Sequence, residues 1–510
     1  LEGNMKKDLE TLIQQAQQIA ANSALTHEQA MTSLASLPGN YASVLNMPEG
    51  FEEMLEEGLI CNLSEGFLPY CPRYILPDYQ KLMDKGCQFL RLKPPTTLSE
   101  AILTLEIFYR HVPSVTHYPV YLGRVDKMLE PFIDGVSEEE ARREIKNFMF
   151  FLSRSIPDSY CHMNIGPEET KAGNYILDAE MELQEAIPSI TMLYDGKVTS
   201  DDFSEKAISC AQLCAKPSFA NYNDYQEANP FPIGIASCYN ALPLAGGAFT
   251  LSRVMISRIA EKVKDSDEFF EFLPKAVNTL CTFMDEKIRY LVEDSHFFTT
   301  NFLVKEGFIK LENFTGMVGI VGLNECVNTL LEKDGIAGRY AQSKEADELS
   351  HRILAAMNKH LESFESKYCD VTGNHFLLHA QVGIAEDIGI TPGIRIAIGE
   401  EPDLYTHLKH ESKFQKYFPS GVGDIFPFDE TAKNNVGAIL DIVKGSFSQG
   451  MRYFSTYSDT CDVVRVTGYL VKKSDIEKLS RGEAVGQANA TWGYYASKNQ
   501  HALERKVESL

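Results

Sequence analysis

Apolar positions recur at helical spacing through the first third of the chain. Residues 98–109, following Pro94-Pro95, are predicted as an amphipathic helix. Ser137-Glu138-Glu139-Glu140 forms a capping box ahead of an apolar-periodic run over 141–152. Near residue 187 the pattern changes. Ile190-Thr191-Met192-Leu193 reads as a short strand, Asp195-Gly196 as a turn, and Ser200 as the start of a helix reaching about Cys214. The rhythm returns with a strand over 317–321 and a helix over 323–332, then a strand over 374–382 before a loop punctuated by Gly and Pro. Strands alternating with helices predict parallel pairing with helices outside, in an open sheet or a barrel. Two long helical stretches, 268–293 and 342–367, read as outer helices of that layer.

Composition narrows the function classes. A hydrophobic content of 44% and a charged content of 23% describe an ordinary globular chain. The net charge of −23 argues against a nucleic-acid surface, which needs clustered Lys and Arg. No apolar run approaches the ~20 residues of a membrane span. Leu1-Glu2-Gly3-Asn4 precede Met5 and read as an expression scar, and no leader peptide is expected after Met5. The eleven cysteines are scattered and odd in number, with no Cys-x-x-Cys, so neither a disulfide framework nor a zinc ribbon is expected. The expected compartment is reducing, most simply the cytoplasm. Cys210 and Cys214, four apart on one helix, read as core packing.

Candidate chemistry concentrates in two segments. Gly468 lies in Val463-Val464-Arg465-Val466-Thr467-Gly468-Tyr469-Leu470, and Cys238 in Phe231-Pro232-Ile233-Gly234-Ile235-Ala236-Ser237-Cys238-Tyr239-Asn240. The first, through Arg465, Val466, Thr467, Gly468 and Tyr469, resembles the C-terminal signature of glycyl radical enzymes. Glycine suits that role because loss of its Cα hydrogen leaves a planar centre that any side chain would crowd. The second segment, apolar and small-residued, suits a buried loop tip. Lys216-Pro217-Ser218-Phe219, Thr250-Leu251-Ser252-Arg253 and 316–325 extend the likeness toward anaerobic ribonucleotide reductase, and the chain as a whole resembles most closely the YjjI family.

The resemblance implies a ten-stranded α/β barrel with a helical N-terminal region. The expected divisions are the scar at 1–4, a mainly helical region at 5–155 packing on the barrel, a barrel core with a central cysteine loop at 156–450, and a glycyl radical segment at 451–510. It implies a radical stored on Gly468 and a thiyl radical at Cys238. No cofactor would be bound permanently. A separate SAM-dependent activase carrying a 4Fe–4S cluster would install the radical, air would cleave the chain at Gly468, and a homodimer would be reasonable.

The reaction is narrowed by exclusion. Diol and choline lyases place a Glu where Asn240 stands, and Asn cannot take a proton at neutral pH. Pyruvate formate-lyase uses two adjacent cysteines, but Ser237 precedes Cys238. A reductase-type mechanism would need a second thiol, for which Cys71 and Cys161 are candidates beside the reading as structural thiols. The expected reaction is cleavage, elimination or rearrangement of a small polar substrate. Ribonucleotide-type reduction and a non-catalytic, barrel-derived binding protein are the alternatives. On the 374–382 strand, His375, Leu377, His379 and Gln381 share one face, and Phe376, Leu378, Ala380 and Val382 the other. The polar face fits either a barrel lumen or a solvated edge. His162, Asn164, Asn240, Asp429 and Glu430 complete the candidate substrate-pocket residues. No metal site is expected, since His-x-x-x-His serves helices better than strands.

Overall fold

The computed structural model describes residues 2–40, 45–63, 70–381, 383–384 and 387–510. Its strands are β1 (Ile60–Cys61), β2 (Tyr74–Leu76), β3 (His162–Ile165), β4 (Ser189–Tyr194), β5 (Ser218–Asn221), β6 (Ile233–Ala236), β7 (Asn240–Pro243), β8 (Gly246–Met255), β9 (Phe314–Val321), β10 (Leu377–Ala380), β11 (Asp424–Phe428), β12 (Tyr453–Ser458), β13 (Val463–Arg465) and β14 (Leu470–Lys472).

Ten of these form two five-stranded sheets. One runs β1-β8-β9-β10, with β2 also pairing β8; the other runs β11-β12-β5-β4-β3. The expected ten-stranded α/β architecture is therefore present, as two half-sheets. The expectation of purely parallel pairing needs correction. β8 pairs β1 and β2 antiparallel, and β12 pairs β5 antiparallel. Parallel direction accompanies helical crossovers between consecutive strands, by one helix between β3 and β4 and between β4 and β5, and by several between β8 and β9. β5 and β12 are far apart in sequence, so no single crossover fixes their sense. The sheets approach where the Ala380 amide, on β10, donates to Gly421 O just ahead of β11 at 3.1 Å.

The remaining strands are two antiparallel hairpins, β6–β7 and β13–β14. The first touches both sheets, and the second touches one sheet and the segment that follows β10 of the other. The Asn164 side chain on β3 bonds Ile235 of β6, and the Tyr239 hydroxyl at the β6–β7 turn donates to Ala380 O on β10 at 2.7 Å. In the second hairpin the Arg465 guanidinium reaches Ser189 on β4, and the Thr467 hydroxyl donates to Gly383 O beyond β10.

Helices clothe the sheets because their local sequence starts and stops them. Thr97 caps Leu98–Tyr109, Ser137 caps Glu138–Ser155, and Ser200 caps Asp201–Cys214; each side-chain oxygen accepts an amide three residues on. The long outer helices are Ser266–Arg289 and Lys344–Ser363. Residues 2–4 continue into the first helix, Glu2–Ala20. The expected mainly helical region 5–155 also supplies β1 and β2, so the first sheet draws on chain from both sides of residue 155. The strand over 374–382 is shorter than expected, Leu377–Ala380; Val382 lies outside the described residues. No helix among the described residues is long and apolar enough to cross a membrane.

Candidate active site

Cys238 sits at the tip of the β6–β7 hairpin, in the three-residue turn Ser237-Cys238-Tyr239. It is buried, 3% exposed. Burial raises its thiol pKa; the nearby guanidiniums of Arg465 and Arg395 work against that rise. The neutral thiol is thereby favoured, which suits donation of a hydrogen atom rather than nucleophilic attack. The Asn240 amide lies 3.9 Å from the sulfur and donates to Ala236 O at 3.3 Å. Ser237 adopts φ +63°, a left-handed conformation uncommon outside glycine.

That turn is held by the second sheet. Asn164 donates to Ile235 O at 2.9 Å and accepts from Ile235 N at 3.0 Å. His162 Nδ1 meets Ser237 O at 2.9 Å, and its Nε2 meets the Thr191 hydroxyl at 2.6 Å. A carbonyl only accepts, so Nδ1 carries the proton and Nε2 accepts from Thr191. Thr191 in turn is 2.8 Å from the Tyr453 hydroxyl, which completes a chain running inward from β12. Burial pushes the His162 pKa down to about 3, so the ring is a neutral strut. Expected to line a substrate pocket, His162 and Asn164 instead grip the main chain of the cysteine hairpin. Gly421, at φ +142°, meets the same hairpin from the other side. A Cβ there would lie 2.4 Å from Tyr239 O, so only glycine admits the turn.

Gly468 occupies the tip of the β13–β14 hairpin and is buried. Three guanidiniums cap its loop. Arg465 Nη1 donates to Gly468 O at 3.0 Å, Arg395 Nη1 to Thr467 O at 2.8 Å, and Arg505 Nη2 to Val466 O at 2.9 Å. Arg395 and Arg505 lie outside the glycine motif, and nothing in their local sequence singled them out.

A cavity of about 380 Å³ opens beside Tyr469; Tyr74, Asp158, Tyr160, Gln381 and Trp492 also line it. The Tyr160 ring packs edge-on to Tyr469 at 5.7 Å, and Trp492 packs on Tyr160 at 5.7 Å. Asp158 is buried with its pKa raised by desolvation, and it accepts from the Tyr160 amide and the Asn489 side chain.

The other candidates divide. Gln381 lines the cavity, and His379 is buried with its ring 5.6 Å from that of Tyr239. Burial pushes the His379 pKa down to about 3. His375 falls outside β10 and bonds Phe364 O at the end of an outer helix, so the polar face is shorter than expected. Asp429 and Glu430 are not pocket residues. Asp429 caps the turn Glu430–Asn434 at the molecular surface and accepts from Ser509, while Glu430 is exposed. Cys161 points away from the turn into the core, where Tyr109 donates to its sulfur at 2.6 Å and burial pushes its pKa up to about 12. Side chains alternate along a strand, so the neighbour of His162 must face the opposite way. Cys71 is half-buried against the core just ahead of β2.

A glycine hairpin and a cysteine hairpin thus lie against the two five-stranded α/β half-sheets. Comparison with known proteins carries this further. The model of the family described as glycyl radical enzyme YjjI-like matches residues 25–508. A Haemophilus influenzae protein is 45% identical over 485 residues, covering 93% of both chains. The Escherichia coli K12 protein YjjI is 40% identical over 498 residues, covering 97% of this chain and 96% of that one. The chain belongs to the YjjI-like glycyl radical enzyme family. Among solved structures, the anaerobic ribonucleotide reductase from Thermotoga maritima with MES in the active site superposes with a TM-score of 0.70 at 13% identity, covering 92% of this chain and 94% of that one, a likeness of fold. Enzymes of this family use a protein-derived glycyl radical generated by a radical SAM activase.

Proposed function

We propose that Gly468 stores the radical and that Cys238 delivers it to a small polar substrate. The activase-derived alkyl radical takes one hydrogen atom from Gly468 Cα, leaving one unpaired electron there. The glycyl radical then takes the hydrogen atom of the Cys238 thiol, which re-forms the Cα–H bond and leaves a sulfur-centred radical. That radical abstracts hydrogen from a substrate carbon, and the resulting carbon radical undergoes cleavage, elimination or rearrangement. The hydrogen returns from sulfur to product, so the cycle consumes no external electron.

One observation carries the reading. Gly468 and Cys238 are each buried at a hairpin tip, and both tips are tied to β4: Arg465, which bonds Gly468 O, reaches Ser189, and His162, which bonds Ser237 O, meets Thr191. The buried, neutral thiol and the enclosing aromatic walls suit radical chemistry that must exclude water and oxygen. A cavity of about 380 Å³ with Asp158 and Gln381 among its polar groups suits a small polar molecule. Asn240 beside the sulfur offers an amide donor and no base, which favours chemistry that does not require proton removal at that position.

The test is anaerobic incubation with a radical SAM activase, followed by electron paramagnetic resonance. A doublet from the Gly468 α-hydrogen is expected. Its persistence in Gly468→Ala would overturn the assignment.

A further inference from the structure

Four consecutive carbonyls of the glycine hairpin each accept a bond from a guanidinium. Arg505 serves Arg465 O at 3.3 Å and Val466 O at 2.9 Å, Arg395 serves Thr467 O at 2.8 Å, and Arg465 serves Gly468 O at 3.0 Å. The three side chains come from the hairpin itself, from the segment after β10, and from the C-terminal tail. They are buried, with exposures of 6% for Arg395, 2% for Arg465 and 9% for Arg505.

A four-residue hairpin loop does not need this. Turns normally satisfy their carbonyls with their own amides or with water. Here a cross-loop bond already exists, from Val466 N to Tyr469 O at 3.0 Å. Burying cations is also costly unless a carboxylate compensates them. Arg395 has such a partner in Asp424, at 3.2 Å. Among the described residues, Arg465 and Arg505 pair with no carboxylate, and burial lowers the pKa of both. Their charge faces main-chain oxygen instead, and at Gly468 that oxygen belongs to the residue where the unpaired electron would reside.

Resting on the radical reading above, we infer that Arg465 is a catalytic residue of the radical store: by polarising the Gly468 carbonyl it lowers the energy of the Gly468 Cα radical. Arg395 and Arg505 are positioning residues that hold the loop around it. When the Cα hydrogen atom leaves, the unpaired electron spreads onto the adjoining carbonyl and amide nitrogen. A cation bonded to that carbonyl oxygen makes it a better electron acceptor, so spin moves from Cα toward the C=O group. The interaction is fixed in advance and sits in a dry, low-dielectric site, where such bonds act most strongly. Arg395 bonds the other flanking carbonyl, Thr467 O. It draws the Gly468 amide lone pair away from Cα, so it does not supply the stabilisation that Arg465 supplies.

The α-hydrogen splitting of the doublet reads this directly, because it scales with spin density at Cα. In the full-length chain activated anaerobically, Arg465→Gln should enlarge the splitting and shorten the radical lifetime several-fold. Arg465→Lys keeps the charge and the apolar stem but loses the fork, and should fall between the two. Arg505→Gln should shorten the lifetime and leave the splitting unchanged, because its bonds go to carbonyls that do not adjoin Gly468. A wild-type doublet with the same splitting and lifetime in Arg465→Gln and Arg465→Lys removes this proposal alone. A wild-type chain that gives no doublet removes the radical reading, and this inference with it. If Arg465→Gln does not fold, unchanged splitting in Arg465→Lys is sufficient to refute the inference.

Discussion

Asn164 holds the main chain of Ile235 twice, donating to its carbonyl at 2.9 Å and accepting from its amide at 3.0 Å. This reciprocal pair works as a missing strand pairing, supplied by one side chain. It fixes the hairpin that carries Cys238 without joining that hairpin to a sheet.

Removing that grip should destabilise the protein. Asn164→Ala leaves a buried N–H and a buried C=O without partners, at a cost of about 2–4 kcal/mol. Chemical denaturation measures it, and a loss well below about 1 kcal/mol would mean the hairpin is held chiefly by its other ties, His162 on Ser237 O, Tyr225 on Tyr239 O and Tyr239 on Ala380 O. Turnover should fall further than stability alone explains, since the thiol would lose its fixed position.

Storage and use of the radical should separate by mutation. In Cys238→Ser the doublet should form at normal yield while turnover falls more than about 10³-fold, because the O–H bond is too strong to pass its hydrogen to a glycyl radical. In Gly468→Ala both should vanish. Paired paramagnetic resonance and product assays distinguish the two outcomes. A Cys238→Ser enzyme with appreciable turnover would move the thiyl elsewhere.

The two buried histidines make stability dependent on pH. His162 and His379 have pKa values pushed down to about 3 from 6.5, so the unfolded chain binds protons that the folded chain refuses. Their contribution is full above pH 6.5 and declines on acidification toward the folded values. The slope is about 1.4 kcal/mol per pH unit for each ring. His379→Gln should remove one such share from the pH dependence of unfolding. An unchanged slope would show that the ring is protonated in the folded state.

Cys161 should be dispensable for chemistry. Cys161→Ala removes a sulfur that accepts from Tyr109 in the core, and should cost about 1–3 kcal/mol of stability with radical yield and turnover retained. Loss of turnover in a folded, radical-bearing variant would restore Cys161 as a second reacting thiol.

The two hairpin tips were legible in the sequence because their residue patterns are local. Gly468 stands in a five-residue signature, and Cys238 in a run of small and apolar residues. The helix starts at residues 98, 138 and 201 were legible for the same reason, since a cap and its amide lie three residues apart. What stayed hidden depends on contacts across hundreds of residues. Arg395 and Arg505 look like any arginine until the fold brings them to one loop. Asp429 and Glu430 illustrate the converse. Their place after an aromatic strand suggested a strand-end site, yet they stand at the surface, while Asp424 at the start of that strand is the buried acid. His162 was expected to line a substrate pocket; it is buried with Nδ1 on Ser237 O, a main-chain contact that depends on the fold.

The C-terminal segment is fastened to the body at several separate points. Asn489 bonds Asp158 and Ser159, the Ala488 amide donates to Pro157 O, and the Asp429 amide donates to Glu508 O on the tail beyond Arg505. These attachments do not pass through the peptide bonds at Gly468. If oxygen cuts the backbone there, residues 469–510 should remain seated as a non-covalent fragment. Damaged enzyme would then keep its size and shape in native solution, and the injury would appear only when the protein is denatured.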